Sequence, residues 1–165
     1  MRVLKLTEKY AHIYRQIRLD ALKNNPEAFA SSFEEEQALP EAAFAARLGN
    51  ESSFTFGAWI GEELAGVVTL SFEKKRKLSH RANIFAMYVT PKNRNKGIAK
   101  ALMNEAIMTA KSMESIEQVI LGVVAGNLSA KKLYESLGFK TYGYDRNALK
   151  IDGYYYDEVY MVLYL

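Results

Sequence analysis

The sequence predicts an α/β (α+β) fold of about six to seven strands and about four helices in one domain over residues 1–165. Two observations carry this. Runs that alternate every second residue are interleaved along the chain with stripes of period 3.6. At the centre, a strand, a basic turn and an amphipathic helix follow one another without a linker between Asn83 and Ala110. Composition agrees: 49% hydrophobic and 25% charged is the balance of a globular protein with a core.

Arg2 to Leu6 alternates as a first strand. Thr7 or Glu8 opens a helix whose stripe is Tyr10, Ile13, Tyr14, Ile17, Ala21 and Leu22, and Asn24-Asn25-Pro26 ends it. Pro26 to Leu39 is less periodic, and its acidic run Glu34-Glu35-Glu36 reads as a solvated face. Pro40 suits the first turn of a second helix and Gly49 its end. Ser53–Ile60 and Leu64–Phe72 pair as a hairpin across Gly61-Glu62-Glu63. The basic loop from Glu73 to Arg81 reads as a solvated connection over an electrostatic lure for an acidic substrate or nucleic acid, because no aromatic residue is interleaved for base stacking. His80 at its edge reads as structural.

Ile84–Val89 is apolar throughout, and Thr90-Pro91 stops it, since proline has no N–H for a sheet ladder. Lys92-Asn93-Arg94-Asn95-Lys96-Gly97 is a turn with three cations and no acid. A helix follows, with Ala99, Leu102, Met103, Ala106, Ile107 and Ala110 on one face. Val119–Val124 is the next strand. Asn127 caps a helix striped by Ala130, Leu133, Tyr134 and Leu137, which Gly138 stops. Phe139–Tyr144 is a strand, Asp145–Gly153 a polar connection, and Tyr154–Leu165 the closing strand.

Composition narrows the function. Zero cysteines exclude disulfides, thiolate metal sites and a cysteine nucleophile, and agree with a cytoplasmic protein. A net charge of +3 suits a polyanionic small ligand and gives no argument for nucleic acid. No apolar run approaches the roughly 18 residues of a membrane span, and the N-terminus has no apolar signal region. No metal is expected.

The central turn has anion-binding chemistry. A helix start leaves about four N–H groups unpaired and carries roughly half a positive charge. Gly97 lets a ligand approach the backbone, and Arg94 and Lys96 add charge. A phosphate or pyrophosphate fits there; a solvated basic turn has the same spacing. The phosphate-binding loop of nucleotide triphosphatases is excluded, because Ile98 follows the lone Gly97, and a dinucleotide fingerprint lacks two of its glycines.

Arg94-Asn95-Lys96-Gly97-Ile98-Ala99 resembles the R/Q-x-x-G-x-G/A signature of the GNAT superfamily of N-acetyltransferases. Met87-Tyr88-Val89-Thr90-Pro91 resembles that family's strand end, and Asn127, Ala130, Leu133, Tyr134 and Leu137-Gly138-Phe139 its second signature. The resemblance implies a GNAT fold: a mixed, mostly antiparallel twisted sheet of about six to seven strands with about four flanking helices, and parallel strands splayed at the coenzyme A site.

It implies acetyl transfer from acetyl-coenzyme A, as cosubstrate, to a primary amine of a small molecule, peptide or protein, by direct attack in a ternary complex. Met87, Tyr88, Val89, Arg94, Asn95, Lys96, Gly97, Ile98, Ala99 and Asn127 would hold coenzyme A. Val89 would offer backbone hydrogen bonds to pantetheine. Tyr134 would bind there too and protonate the departing thiolate as general acid; the stripe pattern alone makes it a core aromatic. The helix–loop–helix before Gly49 would cover the acceptor side, with Phe29 and Phe33 lining it or packing in the core.

Asn83 departs from the family, many of whose members carry a glutamate there as base. The base is then Glu73, Asp145, Asp157 or Glu158, or is absent, in which case low-pKa amines are preferred. A non-catalytic acyl-coenzyme A-binding or sensing module is the alternative reading. The aromatic C-terminal strand could pair across a homodimer.

Overall fold

The computed structural model describes residues 1–165. Its strands are β1 (Arg2–Lys5), β2 (Ser53–Ile60), β3 (Glu63–Phe72), β4 (Arg81–Val89), β5 (Gln118–Val124), β6 (Lys140–Ile151) and β7 (Tyr154–Tyr164). They form one seven-stranded sheet in the order β1-β2-β3-β4-β5-β7-β6, in which only β4 and β5 run parallel. The helices are α1 (Ala11–Asn24), α2 (Phe33–Gln37), α3 (Glu41–Leu48), α4 (Ile98–Lys111) and α5 (Leu128–Ser136). The unexpected one is α2. Ser32 caps it and Glu35 returns a bond to the Ser32 N–H, a Ser-x-x-Glu box written in the sequence.

Strand alternation divides the core in two. On one face Val68, Leu70, Ile84 and Leu121 pack against Leu102, Met103 and Ala106 of α4 and against Tyr134 of α5. On the other, Leu64, Val67 and Tyr88 pack against Tyr14, Ile17 and Leu22 of α1 and Phe44 of α3. The two helix layers hold the sheet from both sides, so its middle strands are buried on both faces.

β4 and β5 pair only from Arg81–Gln118 to Ile84–Leu121. Beyond that point β4 stays with β3 as far as Val89, and β5 stays with β7 as far as Val124. The register of β3 and β4 shifts between Val67 and Thr69, where Ala86 takes φ 53°. A left-handed residue other than glycine costs about 1–2 kcal/mol, and a bulge bends its strand. The apolar run Ile84–Val89 is therefore not buried throughout: Phe85 is 57% exposed because its neighbour strand has turned away.

The polar stretch after Tyr144 is a strand, not a connection. β6 continues to Ile151 with a register shift between Asp145 and Leu149, and only Asp152-Gly153 turns, at φ 49° and 84°. Two consecutive positive φ values are what a two-residue hairpin turn between twisted strands needs, and Asp-Gly supplies them. Alternation fails along β6 because no residue of this edge strand is buried.

Candidate active site

The splay of β4 from β5 opens a cleft of about 1770 Å³. One wall is the start of α4. Gly97 is its N-cap at φ 78°, and Asn95 also lies in the left-handed region at φ 60°. The backbone N–H groups of Asn95, Lys96, Gly97, Ile98, Ala99 and Lys100 donate to nothing in the protein. They form a concave run of donors at the positive end of the helix dipole, which fits the phosphates of coenzyme A. Buried Asn93 pins the turn: its Nδ2 donates to Glu63 Oε1 at 3.0 Å and to Thr90 Oγ1 at 3.1 Å.

The side chains of the turn are placed differently from one another. Arg94 Nε donates to the Val89 carbonyl at 3.1 Å and its Nη2 to Asn25 Oδ1 at 2.7 Å. The Val89 carbonyl is thus already engaged. Lys96 folds back to Asn93 Oδ1 at 3.0 Å and does not line the cleft, whereas Arg94, Asn95, Gly97, Ile98 and Ala99 do.

The second wall is the end of β4 on the side that β5 has left, where Met87, Tyr88 and Val89 all border the cleft. The Tyr88 hydroxyl leaves it, donating to Asp20 Oδ2 at 2.8 Å and accepting from Asn24 Nδ2 at 3.1 Å. Burial, then the Asp20 carboxylate, push this phenol above its ordinary pKa. Tyr88 is spent on joining α1 to the sheet.

The third wall is α5. Asn127 Oδ1 accepts the Ala130 N–H at 3.1 Å, so it is an N-cap, and it also borders the cleft. Tyr134 is 6% exposed and lines the cleft, while its hydroxyl has no hydrogen-bond partner in the protein. Burial pushes its pKa up to about 12. The phenol stays protonated at neutral pH, a donor with nothing inside the protein to donate to. The packing role and the cleft position are both real: its ring lies 6.0 Å from that of Phe139.

Of the four candidate carboxylates, Glu73 and Asp145 do not line the cleft. Glu73 accepts from Asn83 Nδ2 at 2.9 Å, so Asn83 is tied into the β3–β4 ladder end. Asp157 lines the cleft but accepts the Asn147 N–H at 2.8 Å and the Tyr144 hydroxyl. Those two bonds, the Asn147 N–H first, hold it below the usual carboxylate range. Glu158 lines the cleft with Oε2 3.5 Å from the Tyr160 hydroxyl, which is equally 3.5 Å from Asp145 Oδ2.

Three features escaped the sequence reading. Gly122 faces Tyr160, and a Cβ there would sit 3.3 Å from that ring and 3.8 Å from Glu158 Oε2. A glycine inside an apolar strand run was the available signal. Glu36 is not solvated. It is 3% exposed and bridges Arg18 and Arg47, each at 2.8 Å. Burial raises its pKa, but the hydrogen bonds from Arg18 and Arg47 prevail and hold it low. Arg18 is four residues from Tyr14 and from Leu22, inside the apolar stripe of α1, a position that marks a buried charge. Phe29, before α2, lines the cleft, and Phe33, the first residue of α2, does not.

No group of three or more His, Cys, Asp or Glu is arranged to hold a metal, and no helix is long and apolar enough to cross a membrane.

The model of the acetyltransferase (GNAT) family matches residues 15–139. The L-amino acid N-acetyltransferase AaaT of Escherichia coli (strain K12) is 30% identical over 63% of this chain and 64% of its own length. N-alpha-acetyltransferase 30 of Xenopus laevis is 36% identical over 54% of this chain and 33% of its own. The matches therefore span between a third and just under two-thirds of these relatives. The crystal structure of a GNAT-family acetyltransferase from Streptococcus pneumoniae superposes with a TM-score of 0.89 at 19% identity, covering 99% of both chains.

Proposed function

Because the chain belongs to the acetyltransferase (GNAT) family, we propose that residues 1–165 act as one N-acetyltransferase domain that carries acetyl from acetyl-coenzyme A to a primary amine. The single observation that carries this is the pairing of an unsatisfied amide cradle at Asn95–Lys100 with an unpartnered, protonated Tyr134 in the same cleft. A sensing module needs the first and has no use for the second, which favours catalysis.

Acetyl-coenzyme A supplies an activated thioester. The chain's own groups do the rest. The amides of Asn95, Gly97, Ile98 and Ala99 hold phosphate, with the Arg94 guanidinium beside them. The edges of Met87, Tyr88 and Val89 orient the pantetheine arm, and Asn127 fixes α5 so that Tyr134 faces the cleft. Tyr134 gives its proton to the thiolate as general acid, a task suited to a phenol kept neutral by burial. Glu158 accepts the proton of the amine. It is the one candidate carboxylate that reaches the cleft without being held by other donors at close range.

The names of the relatives, one acting on amino acids and one on α-amino termini, support an α-amine acceptor over a lysine side chain. An α-amino group has pKa near 7.8 and a lysine near 10.4, so the lysine's neutral fraction at pH 7 is smaller by about 340-fold. The test is thiol release from acetyl-coenzyme A against α-amino acids, short peptides, polyamines and lysine peptides, with acetylated product identified by mass. The expected result is transfer to at least one α-amine. Binding of acetyl-coenzyme A with no transfer to any amine would leave a sensing module instead.

A further inference from the structure

Arg18 is the one cation among the buried residues, at 8% exposure. Two of its three guanidinium nitrogens are used: Nε donates to Glu36 Oε2 at 3.1 Å and Nη2 to Glu36 Oε1 at 2.8 Å. Nη1 has no partner in the protein, yet it is not sealed off from solvent, and Arg18 borders the cleft. The guanidinium lies 4.7 Å from the Phe29 ring centroid, and Phe29 borders the same cleft. Ring and Glu36 together fix its plane.

The charges here do not balance. Glu36 serves both Arg18 and Arg47, so two cations share one anion. Arg47 is 39% exposed at its side chain and is screened by water; Arg18, at 10%, is not. The other carboxylates of the cleft do not supply the missing charge. Glu27 accepts from Asn25 at 3.3 Å, Asp157 is held by Asn147 and Tyr144, and Glu158 stands on β7 beside Tyr160. A buried, half-used guanidinium calls for an anion, and its free edge suits a carboxylate. Phosphate has its own place on the amide cradle of α4. Arg18 belongs to α1, on the helical layer across the sheet from α4 and α5.

We propose that Arg18 anchors the carboxylate of the acceptor, which makes the acceptor a free α-amino acid in preference to a peptide end. This rests on the acetyltransferase reading above. A peptide offers a neutral carbonyl where the amino acid offers a carboxylate, and a neutral group leaves the Arg18 charge uncompensated. A charge-assisted hydrogen bond to this site discriminates by about tenfold or more.

The experiment compares alanine, leucine and phenylalanine with their primary amides, by thiol release from acetyl-coenzyme A. Rates are taken over a range of pH and compared per neutral amine. A second arm titrates N-acetyl-leucine and N-acetyl-leucinamide into the protein by calorimetry, since neither has an amine to titrate. Wild type should prefer the acids by at least about tenfold in kcat/KM, and should bind N-acetyl-leucine the more tightly. Arg18→Met with Glu36→Met removes the charged pair together and keeps the volume apolar, a replacement that buried ion pairs tolerate. Its preference should vanish while transfer to the amides continues. Amides used as well as acids by wild type, or a double variant that keeps the preference, would overturn the anchor. Thiol release with neither series would strike the acetyltransferase reading instead. Should the double variant not fold, the two wild-type comparisons still decide.

Discussion

The α4 turn and the wall formed by α1 and the segment before α2 border one cleft and are built in opposite ways. The turn is local. Six neighbouring residues, Asn95 to Lys100, present backbone amides, and their geometry follows from the left-handed φ of Asn95 and Gly97. The α1 wall is assembled from afar. Arg18, Glu36 and Arg47 come from three helices and meet only when α1, α2 and α3 pack together. A grip made of backbone resists most substitutions outside its glycine, whereas one made of side chains fails at each member. That difference fits the division of labour proposed above, with a fixed cosubstrate on the backbone side and a specific acceptor on the side-chain side.

The largest effect should come from breaking the side-chain wall. Arg18→Ala takes the bidentate partner from buried Glu36, leaves it Arg47 alone, and should cost about 3 kcal/mol, read as a lower urea midpoint. Because the pKa of Glu36 is held low in the folded protein, wild type keeps that stability at neutral pH and loses it as pH falls through the folded value. An Arg18→Ala protein as stable as wild type would show that the triad is ornamental.

Next is the buried phenol on the α5 wall of the cleft. Tyr134→Phe preserves the ring against Phe139 and removes the proton donor. It should lower kcat by about tenfold to a thousandfold, with KM for acetyl-coenzyme A little changed. A phenol at about 12 also predicts no falling limb in kcat from Tyr134 anywhere near neutral pH. An unchanged kcat, with chemistry rate-limiting, would return Tyr134 to the core.

Smaller, and more informative about the acceptor side, is Glu158→Gln. We expect kcat/KM to fall by about tenfold to a hundredfold. In wild type the rising limb should come at one pH for acceptors of different amine pKa. In the variant it should follow each acceptor's own pKa. If wild type already follows the acceptor, no enzyme base operates, and the preference for low-pKa amines stands on its own.

The same contrast explains what was legible in the sequence. Local features were readable: the Gly97 turn, the stripe of α4 with Leu102, Met103 and Ala106 buried, and the Asn127 cap are each decided within a few residues. Arg18 and Glu36 were not, because a charge on a helix looks solvated until another element covers it. The length of β6 was hidden for a related reason. An edge strand exposed along most of its length shows no alternation, and only Asp152-Gly153 marked where it turned. The splay itself needed a positive φ at Ala86, a residue with no preference for that conformation.

The claim on which the rest depends is that the free amides at the start of α4 hold acetyl-coenzyme A. A Cβ at Gly97 would meet no protein atom within 4 Å, so a side chain there intrudes on ligand space and on the φ of 78°, not on the core. Calorimetric titration of acetyl-coenzyme A into wild type and folded Gly97→Val tests this directly. Gly97→Val should weaken binding at least about tenfold, or about 1.4 kcal/mol. Equal dissociation constants in the two proteins would contradict it.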